Sequence, residues 1–313
     1  MIRIFKTEDG VMHEKSDMQP GCWIALTNPT ASEVMDVADA CQIDPDHIKA
    51  PLDEEERSRI EVEDNYTLVL VDIPSIEERN GKDWFVTIPM GIITTNDVLI
   101  TVCLEDTPVL SSFMDGRVRD FHTFMKTRFI LQILYRNATQ YLQYLRIIDK
   151  KSEVVERKLH QSQKNEELIE LLELEKSLVY FTTSLKSNEV VLEKLLRTER
   201  VKKYPEDTDL REDVIIENKQ AIEMANIYSG ILSGTMDAFA SIISNNVNAV
   251  MKFLATVTIV MSIPTMVASF YGMNVNTRGM PFADSPFGFL IVLGLAILLS
   301  LGVAYIFNKK DLF

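Results

Sequence analysis

The chain has a long stretch without charge between Lys252 and Arg278, close to its C-terminus. The intervening residues, 253–277, are mostly apolar and long enough to cross a hydrocarbon core of about 30 Å as a helix. A second run without charge, residues 287–307, is also long enough to span. The sequence therefore predicts two transmembrane helices close to its C-terminus.

The first of these segments carries a row of residues at helical spacing, which we call the stripe. Steps of three or four positions place its seven members on one helical face. They are Asn248, Met251, Leu254, Thr258, Ser262, Thr265 and Ser269. Small polar residues in a membrane helix either tighten contacts between helices or line a narrow aqueous path. The stripe runs into the tetrapeptide Tyr271-Gly272-Met273-Asn274, which favours the path.

The chemistry of the stripe suits a hydrated cation. A small, highly charged cation holds its waters tightly. Hydroxyl and amide oxygens accept hydrogen bonds from those waters without trapping the ion as carboxylates would. Met251 and Leu254 are expected to narrow the inner half and to gate it by dewetting, with Asn248 at the mouth. Because one such helix cannot enclose a conduit, the path requires a ring of identical chains.

A tripeptide of glycine, methionine and asparagine ends the first membrane segment. It stands as Gly272-Met273-Asn274 after Tyr271, and Asn248-x-x-Met251-Lys252 marks the helix entry. These motifs resemble the CorA family of divalent-cation channels, in which the tripeptide lies at the outer end of the first of two membrane helices. The resemblance implies that the tripeptide is the selectivity filter, that Mg²⁺ is transported, and that five chains form a funnel-shaped homopentamer. The turn after Tyr271 is expected to use the backbone freedom of Gly272.

The resemblance also implies regulation by cytoplasmic Mg²⁺, which in the family bridges acidic side chains of neighbouring soluble domains. Counting back from the tripeptide places the family's stalk aspartate at Asp237, on the extension of the stripe. The partner acid corresponds to Glu77, with Glu78 beside it. Asp237 can equally be a solvated acid of the stalk. Mg²⁺ is thus expected both as cargo and as regulatory ion.

The rest of the chain predicts an α/β cytoplasmic domain in which helices flank a mixed sheet. The predicted parts are the α/β domain at 1–121, long antiparallel helices at 122–205, a stalk helix continuing into the first span at 206–274, an outer loop at 275–286, the second span at 287–307 and a basic cytoplasmic tail at 308–313. Within the first part, Thr30 and Glu33 have the spacing of a capping box that starts a helix. Residues 44–59 predict a helical segment, 59–74 two strands around a polar turn, and 84–89 and 90–95 two separate strands.

Charge indicates the orientation and the partners of the chain. Lys252 opens the first span and Lys309 and Lys310 close the second, whereas Arg278, with Asp284, lies in the loop between them. The positive-inside rule then predicts a multi-pass protein of the inner or plasma membrane with both termini in the cytoplasm. A net charge of −14 argues against nucleic acid as a partner, and the sequence has no Walker A loop for ATP. Membrane lipid and further copies of this chain are the expected partners.

Histidines and cysteines point to no further site. The four histidines, His13, His47, His122 and His160, form no H-E-x-x-H motif and no close pair, so the sequence does not predict a zinc site. The three cysteines are widely spaced, which does not favour a disulfide framework. Three functions, none enzymatic, follow: a homo-oligomeric magnesium channel, a transporter of Zn²⁺, Co²⁺ or Ni²⁺ in the same superfamily, or a membrane-tethered scaffold or sensor.

Overall fold

The computed structural model describes residues 1–79, 81–162, 165–198, 204–274, 279–282 and 285–310, with the main chain alone at 160–162 and 165. The chain divides into two compact units, Met1–Met236 and Asp237–Phe313. The boundary between the units falls within one long helix.

A seven-stranded mixed sheet forms the centre of the first unit. Its strands are β1 (Ile2–Glu8), β2 (Val11–Lys15), β3 (Trp23–Thr27), β4 (Arg59–Val62), β5 (Tyr66–Arg79), β6 (Lys82–Thr95) and β7 (Leu99–Cys103). Their order across the sheet is β2-β1-β3-β7-β6-β5-β4. The β3–β7 pair is parallel and the other neighbouring pairs are antiparallel. The mixed sheet expected from the sequence is therefore confirmed.

Helices cover both faces of this sheet. They are α1 (Ala31–Cys41), α2 (Pro45–Lys49), α3 (Pro108–Met114), α4 (Lys126–Ser162), α5 (Asn165–Arg197) and the start of α6 (Thr208–Tyr271). Alternate residues of one strand enter different cores: Val69 packs toward α3, α4 and α5, whereas Leu70 packs toward α1 and α2. Because both faces are covered, β5 and β7 are apolar along almost their whole buried length.

The two long helices α4 and α5 run antiparallel. Asn137 of α4 and Asn188 of α5 meet at the main-chain oxygen of Asp72. Further along, Val155 of α4 lines one groove together with Leu174 of α5. Increasing residue numbers on one helix therefore correspond to decreasing numbers on the other.

Short sequence motifs in the first unit predict the local structure correctly where the motif residues hydrogen-bond to each other. The capping box is confirmed, because Thr30 Oγ1 accepts from the Glu33 N–H at 3.3 Å and Glu33 Oε2 accepts from the Thr30 N–H at 2.8 Å. The helical prediction for 44–59 is correct for α2 and for a 3-10 turn at Ala50–Leu52, and it is wrong for the residues that follow. After the 3-10 turn, the Asp53 carboxylate accepts from the Glu55 N–H at 3.1 Å, and this local hydrogen bond competes with continued helix.

The prediction of two strands at 84–95 is also wrong, since β6 runs unbroken through Pro89. Pro89 lies opposite Asp72 in the register, and both main-chain polar groups of Asp72 bond to Asn188 rather than to β6. The Asp72–Pro89 pair therefore exchanges no ladder hydrogen bonds, and the missing N–H of proline faces the side where β7 has already ended at Cys103.

The first unit holds three free thiols. Cys22 and Cys103 are buried and Cys41 is partly exposed. Burial raises the pKa of all three thiols, and it raises the pKa values of Cys41 and Cys103 to about 11.

The second unit contains the end of α6 and a further helix, α7 (Gly288–Lys309). Both helices are long and apolar enough to cross a membrane. Only 6% of the apolar segment of each is buried within the structure, so neither resembles the core helix of a soluble protein. The long helix and the second apolar helix expected from the sequence are both present.

Candidate ion-conducting face and regulatory acids

All seven members of the stripe lie exposed on α6. Met251 is 60% and Leu254 is 53% exposed, large values for apolar side chains. Thr256, two positions before Thr258, is only 5% exposed. Two residues correspond to about 200° around a helix, so the stripe lies nearly opposite the buried face.

The buried face of α6 borders α7. Pro264 and Val267 of α6 line a groove together with Val292 and Ala296 of α7. Ala296 is 4% exposed, which makes it the α7 counterpart of Thr256. The second membrane helix therefore covers the face that the stripe does not use, and it leaves the stripe open.

The hydroxyl groups of the stripe are already oriented by their own helix. Three of its four hydroxyls donate to a main-chain oxygen three or four residues earlier: Thr258 to Leu254 at 2.8 Å, Ser262 to Ile259 at 2.7 Å and Thr265 to Met261 at 3.3 Å. What each hydroxyl still offers outward is oxygen lone pairs. The waters of a hydrated cation donate hydrogen bonds, so this face presents the complementary acceptors.

The Gly-Met-Asn tripeptide follows directly on the last turn of α6. The Gly272 N–H donates to Ala268 O at 2.9 Å, and both Met273 and Asn274 are exposed. The expected backbone freedom of Gly272 is not used, because its φ is not in the left-handed region. A Cβ at this position would lie 3.4 Å from Ala268 O, an ordinary contact. The local fold of one chain thus does not require glycine here.

A hydrogen bond ties the end of α6 to the returning chain, since Tyr271 OH donates to Pro281 O at 2.7 Å. Much of the predicted outer loop, including Arg278 and Asp284, lies outside the described residues. The end of the basic tail, residues 311–313, does so as well.

The two predicted regulatory acids belong to different units and have different surroundings. Asp237 is exposed on α6, where its main-chain oxygen accepts from Ser241 Oγ at 3.1 Å. Glu77, on β5, is partly buried and holds Arg79, whose Nε lies 2.7 Å from the carboxylate. The Arg79 guanidinium also lies 4.9 Å from the ring centre of Trp84. A cation at Glu77 would have to share the carboxylate with this arginine, which contacts only Oε2.

An α/β unit followed by two apolar helices, the first of which ends in Gly-Met-Asn, is the arrangement of a two-span membrane transporter. The chain belongs to the family of CorA-like Mg²⁺ transporter proteins, whose sequence model matches residues 19–310. The resemblance seen in the tripeptide is thereby confirmed. Members of this family are divalent-cation transporters and not enzymes.

Individual relatives agree with the family over most of the chain. It is 27% identical over 297 residues to the cobalt/magnesium transport protein CorA of Methanocaldococcus jannaschii, covering 92% of this chain and 90% of that protein. It is 23% identical over 316 residues to the protein of the same name from Thermotoga maritima, covering 99% and 88%. The complete structure of the CorA magnesium transporter from M. jannaschii superposes with a TM-score of 0.87 at 25% identity, covering 99% of this chain and 98% of that one.

Proposed function

We propose that this chain is a magnesium channel in which five copies place α6 around a common axis. The observation that carries the proposal is the position of the stripe, nearly opposite the face that α7 covers. Hydrated Mg²⁺ passes down its electrochemical gradient, driven by about 4.6 kcal/mol per divalent ion for each 100 mV. Both termini lie in the cytoplasm, and surrounding copies and lipid cover the remaining apolar surface of the two helices.

The stripe and the tripeptide have distinct roles in this proposal. Gly272, Met273 and Asn274 form the outer filter, where the Asn274 amide oxygen accepts hydrogen bonds from the waters of the ion. Thr258, Ser262, Thr265 and Ser269 offer further acceptors, Met251 and Leu254 form the narrow inner part, and Asn248 lines the cytoplasmic mouth.

Flux into liposomes tests this function directly. Purified full-length protein is reconstituted, and entry of Mg²⁺, Co²⁺, Ni²⁺ and Zn²⁺ is followed with metal-sensitive dyes. We expect Mg²⁺ entry, strong reduction in Asn274→Ala, and normal entry in Asn308→Ala, which removes an exposed asparagine near the end of α7. Zn²⁺ entry without Mg²⁺ entry would establish the zinc transporter instead. No entry of any of these ions would leave a scaffold or sensor.

We further propose that cytoplasmic Mg²⁺ closes the channel by bridging Asp237 and Glu77 of neighbouring copies. Support comes from the exposure of Asp237 on the extension of the stripe and from the family resemblance. Mg²⁺ should then protect the soluble unit against protease, and Asp237→Asn should weaken that protection. Asp213→Asn removes an exposed aspartate from the same helix and serves as the control. Equal protection of both variants and the wild type would remove Asp237 from the mechanism.

A further inference from the structure

Three potential metal ligands that are separated in sequence meet at the edge of the sheet. They are His47 on α2, Glu61 on β4 and Glu63 in the turn after β4, and one ligand atom of each lies within 4.8 Å of the other two. His47 Nε2 and Glu61 Oε2 are 3.3 Å apart. We propose that these residues bind a first-row transition-metal ion of the Zn²⁺, Co²⁺ or Ni²⁺ type, at a site separate from the conducting path.

The imidazole of His47 is held in the orientation that a metal ligand requires. Its Nδ1 lies 2.7 Å from Tyr66 OH, and that hydroxyl oxygen also accepts from the Asp44 N–H at 3.3 Å. When Nδ1 carries the proton and donates it to Tyr66, the Nε2 lone pair faces the carboxylates. Metal-bound histidines characteristically donate their second ring N–H in this way, which fixes both the tautomer and the ring plane.

Local hydrogen bonds fix the backbone of both supporting elements at this point. Asp44 caps α2 through its carboxylate, which accepts from the Asp46 N–H at 2.9 Å, and Pro45 begins the helix. The turn between β4 and β5 is closed by the Glu63 N–H, which donates to Tyr66 O at 2.9 Å. Tyr66 therefore links the two sides of the site, because its hydroxyl positions His47 and its main chain positions Glu63.

Charge and access also fit a cation. The two carboxylate oxygens of Glu61 have different partners: Oε1 accepts a hydrogen bond from Arg59, and Oε2 faces His47. Arg59 in turn also bonds Glu56, so its positive charge is shared between two carboxylates. The side chains of His47 and Glu61 are 21% and 32% exposed, and Glu63 is exposed, which leaves a path for an ion and for water ligands.

The donor set selects the class of metal. One imidazole nitrogen with carboxylate oxygens suits Zn²⁺, Co²⁺ and Ni²⁺, whereas Mg²⁺ prefers oxygen ligands and retains its waters. Ligand atoms around an ion with bonds of about 2.1 Å lie about 3–4 Å apart, so the three side chains need only a small closure. A change of rotamer of the exposed Glu63 side chain can supply it.

Cobalt binding to the full-length protein in detergent tests this site without using transport. Metal-free protein is titrated with Co²⁺ in the presence of excess Mg²⁺, and the visible absorption of imidazole-bound Co²⁺ is recorded. We expect one such ion per chain, displaced by Zn²⁺ and not by Mg²⁺. Glu63→Gln should weaken binding at least tenfold, and His47→Gln should abolish the imidazole signal.

The matched control is His13→Gln, which removes an exposed histidine of β2 in the same unit. It should bind Co²⁺ as the wild type does. Unaltered thermal midpoints in the Gln variants show that loss of binding is not loss of folding, and Glu63→Gln provides a second test should His47→Gln fold poorly. Wild-type spectra without imidazole ligation, or an unchanged signal in His47→Gln, would overturn the proposal. Mg²⁺ flux is measured in a separate experiment, so the outcome of the Co²⁺ titration neither supports nor contradicts the channel proposal.

Discussion

The side-chain amide of Asn188 pairs with both main-chain groups of Asp72, as a neighbouring strand would. Its Oδ1 accepts from the Asp72 N–H at 2.9 Å and its Nδ2 donates to Asp72 O at 2.7 Å. β4 begins at Arg59, opposite Leu70. The residue that would pair with Asp72 precedes Arg59 and is not part of the strand. A residue of α5 therefore completes the hydrogen bonding of β5 where its neighbouring strand is absent.

Asn188→Ala should lower the free energy of unfolding of the first unit by about 1–3 kcal/mol. The substitution leaves the Asp72 N–H without its acceptor, and Asn188 is only 4% exposed. Asn137 and Tyr141 still donate to Asp72 O, so the carbonyl stays satisfied. The thermal midpoint of the full chain in detergent measures the effect. Asn226→Ala, on the exposed face of α6, is the control. A midpoint equal in both variants would contradict the role assigned to Asn188.

The Asp72 carboxyl should make the stability of this unit depend on pH. Burial raises its pKa, and hydrogen bonds from Ser184 and Ser58 only partly oppose that rise. Between the unfolded pKa and the higher folded pKa, the unfolded chain binds fewer protons, so the free energy of unfolding falls as pH rises through this window. Asp72→Asn should therefore be more stable than the wild type at neutral pH.

That advantage of Asp72→Asn should vanish once the pH is below the ordinary aspartate pKa, where both states of the wild type are protonated. Thermal midpoints of both proteins across acid and neutral pH test this. Asp106→Asn alters an exposed aspartate of the same unit and should run parallel to the wild type. A constant difference between Asp72→Asn and the wild type at every pH would show that the carboxyl does not titrate as argued.

Two threonines of α6 allow the conducting face to be tested by one chemical change. Thr258→Val removes a stripe hydroxyl, whereas Thr256→Val removes a hydroxyl from the buried face. Loss of about 1 kcal/mol of hydrogen bonding in each copy of a ring lowers flux tenfold or more. We expect that loss of Mg²⁺ entry into liposomes for Thr258→Val only. The reverse ranking would place the path on the other side of the helix.

Two glycines of α7 should respond differently to alanine. A Cβ at Gly288 would lie 2.4 Å from the main-chain oxygen of Phe282, too close without a backbone shift, whereas a Cβ at Gly294 meets no described atom within 4 Å. Gly288→Ala should lower the thermal midpoint of the purified protein, and Gly294→Ala should not. If Gly294→Ala also lowers it, a neighbouring copy packs at that glycine.

The sequence predicts best those features that one segment determines by itself. The capping box at Thr30 and Glu33, the two apolar spans and the long helices depend on local spacing, and each is present. The continuity of β6 through Pro89 depends instead on Asn188, almost a hundred positions later. No local rule contains that partner, so the sequence pattern predicts a break at the proline. β2 is short and largely exposed at the sheet edge, which leaves little periodic signal.

Sites made by tertiary contacts are harder to predict. The sequence alone indicates the stripe, because all its members share one helix. It does not indicate the group of His47, Glu61 and Glu63, because the histidine and the glutamates become neighbours only through the packing of α2 against the sheet edge. The signal available in the sequence was the pair of glutamates two apart on a predicted strand, which directs both to the same face.

The chemistry of the native thiols makes the protein convenient for site-directed labelling. Burial raises the pKa of Cys41 and Cys103 to about 11, which lowers the share of the reactive thiolate at neutral pH, and Cys22 is shielded by burial. A single cysteine introduced along α6 would react with maleimide or nitroxide reagents long before these three. Spectroscopic distances between copies in the proposed ring are thus accessible without first building a cysteine-free background.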